Sequence, residues 1–114
     1  GLQTNAKDLA AAEEARGKMW HQFRAFFEKY DHLLTPCMAV PPFPVEQNYP
    51  DSIAGKPMQT YIDWIAPTFV FSLTGLPVAS VPVGVDPGGM PVGMQIVGRQ
   101  FGEQCVLALA GQYD

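Results

Sequence analysis

Between Ile65 and Gly98 the chain carries one charged side chain, Asp86, and no other feature restricts its fold as strongly. A stretch that long with almost no charge expects to be buried. Within it, Val78-Ala79-Ser80-Val81-Pro82-Val83 is a β-branched run that reads as a strand, and its Pro82 suits an edge or a strand end because proline donates nothing to a ladder. Asp86-Pro87-Gly88-Gly89 supplies the fixed and positive φ values of a chain reversal. In the following run Val92, Met94 and Ile96 alternate with Gly93, Gln95 and Val97, so residues 78–97 read as a hairpin. Both of its faces are apolar or small, and a hairpin of that kind needs cover from both sides. Two helices in so short a chain can hardly provide all of it, which leads to the expectation of neighbours from outside these residues.

The rest of the chain supplies elements around that hairpin. Leu9, Ala12, Met19, Phe23, Phe26, Phe27 and Tyr30 recur at spacings of three and four and predict an amphipathic helix over 5–30, capped by Thr4 or Asn5. His32-Leu33-Leu34-Thr35-Pro36 reads as a brief strand near 32–36 closed by proline. A proline-rich loop follows over 36–57, where Pro41, Pro42, Pro44 and Pro50 prevent a regular ladder or helix. A loop of that length is more often functional or packed on a partner than idle. A second helix is expected over 58–71, kinked or divided at Pro67, and a last one over 102–113 packed on the sheet. The stripe Trp20, Phe23, Phe27 reads as core, whereas Tyr61, Trp64, Phe69 and Phe71 follow the loop and suit either a core or the wall of an apolar pocket.

Composition narrows the function. The net charge of -4 offers no clustered Lys and Arg for a phosphate backbone, so no nucleic-acid partner is expected. Charged residues make up 16% of the chain, below the roughly 25% of ordinary domains, so it is greasier than a free-standing domain should be. The longest apolar region is interrupted by Pro and Gly, so no membrane span is expected and the chain reads as soluble. Its opening Gly1-Leu2-Gln3 reads as the interior of a longer protein. Cys37 and Cys105 form neither a disulfide framework nor a CxxC pair and read as reduced, partly buried thiols of a cytoplasmic protein.

Chemistry-bearing patterns are sparse. No GxSxG turn surrounds Ser52, Ser72 or Ser80, and His21 and His32 lack the spacing that prepares a zinc site. The glycines at 84, 88, 89 and 93 form no phosphate-binding loop, so neither metal nor cofactor is expected. A cysteine–histidine pair would need Cys37 or Cys105 to meet His21 or His32 in space.

Four blocks in order carry a resemblance: Tyr30-Asp31-His32-Leu33-Leu34-Thr35-Pro36, Leu73-Thr74-Gly75-Leu76-Pro77, Ser80-Val81-Pro82-Val83-Gly84, and Gly89-Met90-Pro91-Val92-Gly93-Met94-Gln95-Ile96-Val97-Gly98. Over about Phe26 to Tyr113 the chain resembles the C-terminal third of amidase-signature enzymes. The resemblance implies an α/β fold, here a fragment of an α/β/α sandwich around a mixed sheet, with a few strands flanked by helices. It also implies amide hydrolysis by a nucleophilic serine, a bridging serine and a lysine, through an acyl-enzyme that water releases as the acid. Those residues lie upstream in the family. No two serines are adjacent here, and Lys7, Lys18, Lys29 and Lys56 stand in none of the family's catalytic contexts, so no catalytic residue carries over.

What the segment adds, on this resemblance, is sheet closure and pocket wall, with Thr35, Pro36, Trp64 and Thr68 as substrate-pocket candidates. The partners implied are the rest of the parent chain, a small amide substrate and, in one alternative, a second copy. Three functions stay open: the C-terminal part of an amidase, inactive alone; a self-associating or protein-binding module; and a cysteine-dependent enzyme. Within the first, a glutamine amidotransferase subunit competes with a stand-alone amidase, which the loop from Pro41 to Pro57 and Trp64 favour.

Overall fold

The computed structural model describes residues 3–113. Its first helix, α1 (Ala6–Phe27), starts at Asn5, whose side chain accepts from the backbone N–H groups of Lys7 and Asp8. The Asp8 carboxylate in turn accepts from Asn5 N at 3.1 Å, completing a reciprocal cap that satisfies otherwise orphaned donors. The expected helix over 5–30 ends three residues early, at Phe27. Only its C-terminal part is packed: Phe27 is buried, Phe23 and Phe26 lie against the core, and Leu9 is exposed despite its apolar spacing.

The sheet consists of β1 (His32–Pro36), β4 (Val78–Val85) and β5 (Pro91–Gly98), in the order β1-β5-β4 with both ladders antiparallel. Central β5 aligns Ile96 with Leu34 and Ala79, and Gln95 with Thr35 and Ser80. β4 is therefore an edge, and its register slips between Pro82 and Gly84, where proline cannot donate and Gly84 takes a φ of 145°.

Two cores sit on opposite faces of β5. On one, Ile96 and Val81 meet Val106 of α4 (Glu103–Ala110), with Met94, Leu109 and Ala110 around them. On the other, Val97 meets Phe27 and Phe71, flanked by Phe23, Leu33, Val70 and Leu76. Ile96 and Val97 are both fully buried, and each contributes about 1.5–3 kcal/mol. The local architecture is thus helix, sheet, helix, which gives the hairpin cover on both faces of β5 from within the chain.

Three further elements depart from the sequence expectations. The helix expected over 58–71 begins at Tyr61 and is broken into α2 (Tyr61–Trp64), α3 (Ala66–Phe69) and a 3-10 turn over Val70–Leu73. The break falls at Ile65 rather than at Pro67, because Pro67 fits the first turn of α3, where its missing N–H would have no partner anyway. The loop over 36–57 contains a minimal ladder, β2 (Ser52–Ile53) with β3 (Lys56–Pro57), closed by Ala54 and Gly55 at φ of 50° and 77°. Positive φ at both central residues matches the twist of a two-residue hairpin. The helix expected over 102–113 gives way after Ala110 to a 3-10 turn over Gly111–Tyr113.

The chain is flat, 48 × 38 × 21 Å, and its radius of gyration of 16.6 Å exceeds the roughly 13 Å of a compact chain of this length. Its accessible surface is 8400 Å², where a folded monomer of 12.4 kDa exposes about 6,100 Å². Much of the excess is apolar: Val83, Val85 and Val92 of the hairpin, Leu34 of β1, Leu107 of α4, and Tyr61 and Ile62 of α2 are all exposed.

Candidate functional site

A cavity of about 470 Å³ opens where β1 runs into the proline-rich loop. One wall is the loop from Pro36 to Phe43, a second is Trp64 at the end of α2, and the third is Asp86 of the hairpin turn with the start of β5. Each wall has a local cause. Pro41 and Pro42 keep the loop out of any ladder, so it arches off the sheet instead of extending β1. Trp64 is held edge-on by Phe43 at 5.2 Å and by Tyr61 at 5.8 Å between ring centroids, a favourable aromatic geometry. Gly93 leaves room for Cys37, since a Cβ there would stand 3.0 Å from the Cys37 sulfur.

The four sequence candidates divide into two pairs. Pro36 and Trp64 line the cavity itself. Thr35 and Thr68 stand behind its wall: Thr35 Oγ1 accepts from Gln95 Nε2 at 3.2 Å, and Thr68 Oγ1 donates to the Cys37 carbonyl at 3.0 Å. Gln95 is the residue the sequence reading passed over. Its side-chain amide, buried in the sheet, also donates to the Pro36 carbonyl at 3.1 Å and the Pro67 carbonyl at 3.0 Å, so it fastens the end of β1 to α3. A signal was present, because Gln95 is the one amide side chain in the nearly charge-free stretch.

Among the described residues, Asp86 is the only charged one on the cavity wall. Its Oδ1 accepts from Met90 N at 2.9 Å, which fixes the turn and the carboxylate together. Trp64 Nε1 is buried and has no partner among the described residues, a condition that costs about 1–3 kcal/mol. Below the cavity Asp63 anchors α2: Gln59 N and Thr60 N donate to its Oδ2 at 2.8 and 3.0 Å. These two donors, with the Thr60 side chain, hold the carboxyl below its ordinary value of 3.8.

Thiol chemistry finds little support at the cavity. The Cys37 sulfur lies 3.0 Å from Ser80 Oγ, and His32 begins β1 at the opposite end, roughly 16 Å away along an extended strand. His21 is on the exposed face of α1. Cys105 is exposed rather than partly buried as expected; it borders a small cavity with His32, and no hydrogen bond joins the two. Among the described residues no group of three His, Cys, Asp or Glu could hold a metal, and no helix is long and apolar enough to cross a membrane.

Comparison with known proteins settles the family. The family model described as Amidase matches residues 2–107. The chain belongs to the amidase family. An acylamidase of Rhodococcus erythropolis is 32% identical over 94% of this amidase chain and 22% of its own length. A glutamyl-tRNA(Gln) amidotransferase subunit from Brevibacillus brevis is 37% identical over 90% of the chain and 20% of its own. The fold matches a bacterial aryl acylamidase of the amidase signature family with a TM-score of 0.87 at 26% identity, covering 97% of the chain and 23% of that structure. A second amidase structure gives 0.84 at 30% identity. The amidase chain thus spans about a fifth of the length of the curated relatives it matches.

Proposed function

We propose that these residues are the C-terminal portion of an amidase that hydrolyses a carboxylic amide to the acid and ammonia or an amine. The serine nucleophile, bridging serine and lysine lie outside them: a neutral lysine takes the nucleophile's proton through the bridging serine, the acyl-enzyme forms as the amine leaves, and water releases the acid. The described residues close the sheet and wall the pocket, with Pro36 and Trp64 facing substrate and Thr35 and Thr68 holding that wall in place. Alone the chain is inactive. A cytoplasmic setting belongs to the same reading, consistent with two free thiols.

The observation that carries this is the pairing of a close fold match over nearly the whole chain with an outer surface about a third larger than a monomer of its mass exposes. An amidase segment that expects the remainder of its enzyme leaves just such a surface. The identity to an amidotransferase subunit keeps that assembly as a second reading. The wall of loop and Trp64 favours a stand-alone amidase.

The test is to treat the full-length protein with a fluorophosphonate probe, which loses fluoride to an activated serine, and map the adduct by mass spectrometry. Modification of a serine upstream of Gly1 is expected. An adduct on Ser52, Ser72 or Ser80, or on Cys37, would place the nucleophile inside these residues and overturn the reading.

A further inference from the structure

The sheet and the α2–α3 segment both support the cavity wall, and they are held in different ways. On the sheet side Cys37 N donates to Gly93 O at 3.1 Å, which ties the start of the proline-rich loop to β5 through the backbone. Among the described residues, no backbone bond ties α2 or α3 to the sheet. No residue of either helix is buried, so apolar packing within the chain does little to fix Trp64 and the turn behind it. Ile65, next to Trp64, accepts from Thr68 N at 2.9 Å, so Trp64 follows wherever α3 is placed.

Side chains place α3. Gln95 shares a face of β5 with Gly93, which lines the cavity, and with Val97, which lies in the core. It is 3% exposed, and its Nε2 donates to Pro67 O at 3.0 Å, to Pro36 O at 3.1 Å and to Thr35 Oγ1 at 3.2 Å. Pro36 ends β1 and Pro67 belongs to α3, so one amide spans the two supports. Three acceptors share its two hydrogens, which fixes the orientation of the amide. Thr68 Oγ1 adds a parallel tie, to Cys37 O at 3.0 Å.

We propose, resting on the amidase reading, that Gln95 is a positioning residue for amide binding: without touching substrate, it sets the distance between Pro36 and the segment that carries Trp64, and so how closely the walls meet an amide. Those walls reach the part of the substrate that does not react. Their contacts are made alike in the ground state and the transition state, and loosening them raises KM while kcat holds. A role confined to stability would lower the melting temperature and leave both constants unchanged in the folded enzyme.

Steady-state kinetics of the full-length protein on benzamide, phenylacetamide and hexanamide, with each variant assayed well below its melting temperature, test this. Gln95→Leu keeps the volume and removes the donors; it is expected to raise KM about tenfold and leave kcat within about twofold. Gln95→Asn keeps the amide but shortens its reach by one methylene. It should give an intermediate KM, about threefold above that of the unmutated protein, and it reads the proposal should Gln95→Leu not fold. Thr68→Val cuts the parallel tie and raises KM in the same direction. In the double variant Gln95→Leu/Thr68→Val the increase exceeds the product of the two single ones, because each tie partly covers the loss of the other.

An unchanged KM in the folded Gln95 variants, an effect confined to kcat, or a double variant no worse than the product would overturn the proposal and leave the amidase reading standing. Turnover of none of the three amides by the unmutated protein would overturn the amidase reading, and the role of Gln95 in amide binding with it.

Discussion

At the scale of single residues, Gln95 shows how one polar group organises the site. Its amide serves Thr35, Pro36 and Pro67 from a buried position in the central strand, and each of those acceptors belongs to the cavity or to the wall behind it. Replacing it by Leu keeps the volume and strands two carbonyls. The expected cost is about 1–3 kcal/mol, read as a lower melting temperature of the full-length protein. Melting within error of the unmutated protein would show that the network adds nothing. Gly98 makes a complementary case, since a Cβ there would collide with Val106 Cγ2 across the sheet–α4 contact. Gly98→Ala is expected to destabilise by about 1–3 kcal/mol through overpacking, in the same melting assay. Sequence reasoning found Pro36 and Trp64 because proline stops and aromatic clusters are local signals. It passed over Gln95 because burial and three partners, all of them far along the chain, are invisible in a one-dimensional pattern.

At the scale of elements, the hairpin was legible and the middle helix was not. Alternation in β5 and the Asp86–Gly89 turn are encoded within a few residues, and the structure places β4 and β5 about them, with Gly89 at a φ of 82°. The region 61–73 follows no single period: three short turns are fitted around Pro67 and pinned by Asp63 at one end and by the buried Thr74 at the other, whose hydroxyl donates to the Phe71 carbonyl at 2.6 Å. Gly75, at a φ of 67°, then turns the chain into β4, with nothing within 4 Å of a built Cβ. Its requirement is conformational and not a close approach, so Gly75→Val should destabilise by about 1–2 kcal/mol and Gly75→Asn by less, as Asn tolerates that region better. Equal melting of the two variants would remove the backbone argument. The Asp63 anchor has a pH signature. Its carboxyl is depressed in the folded state, so what it adds to α2 is fully present above the ordinary 3.8 and lost as pH falls through the lowered value. Amide exchange of Gln59 and Thr60 should therefore stay flat above about pH 5 once corrected for intrinsic rate, and accelerate only in stronger acid.

On the scale of the whole molecule, the chain folds two small cores and leaves a broad apolar exterior. Burying Ile96 and Val97 organises the sheet, yet Val83, Val85 and Met90 of the hairpin, Leu9 of α1, Leu34 of β1 and Val78 of β4 stay exposed. The sequence announced this through its single charge in the stretch from Ile65 to Gly98, while which surfaces remain open is a three-dimensional matter that periodicity cannot supply. Expressed alone, the chain should elute as self-associated species in size-exclusion chromatography and melt without a sharp transition; a clean, cooperative monomer would argue against missing neighbours. The most direct measurement of the central claim is ammonia or amine release from a panel of aliphatic and aromatic amides, with this chain and the full-length protein side by side. Turnover by the full-length protein alone is the expected result. Turnover by the isolated chain would contradict the account, because the chemistry would then reside in the described residues.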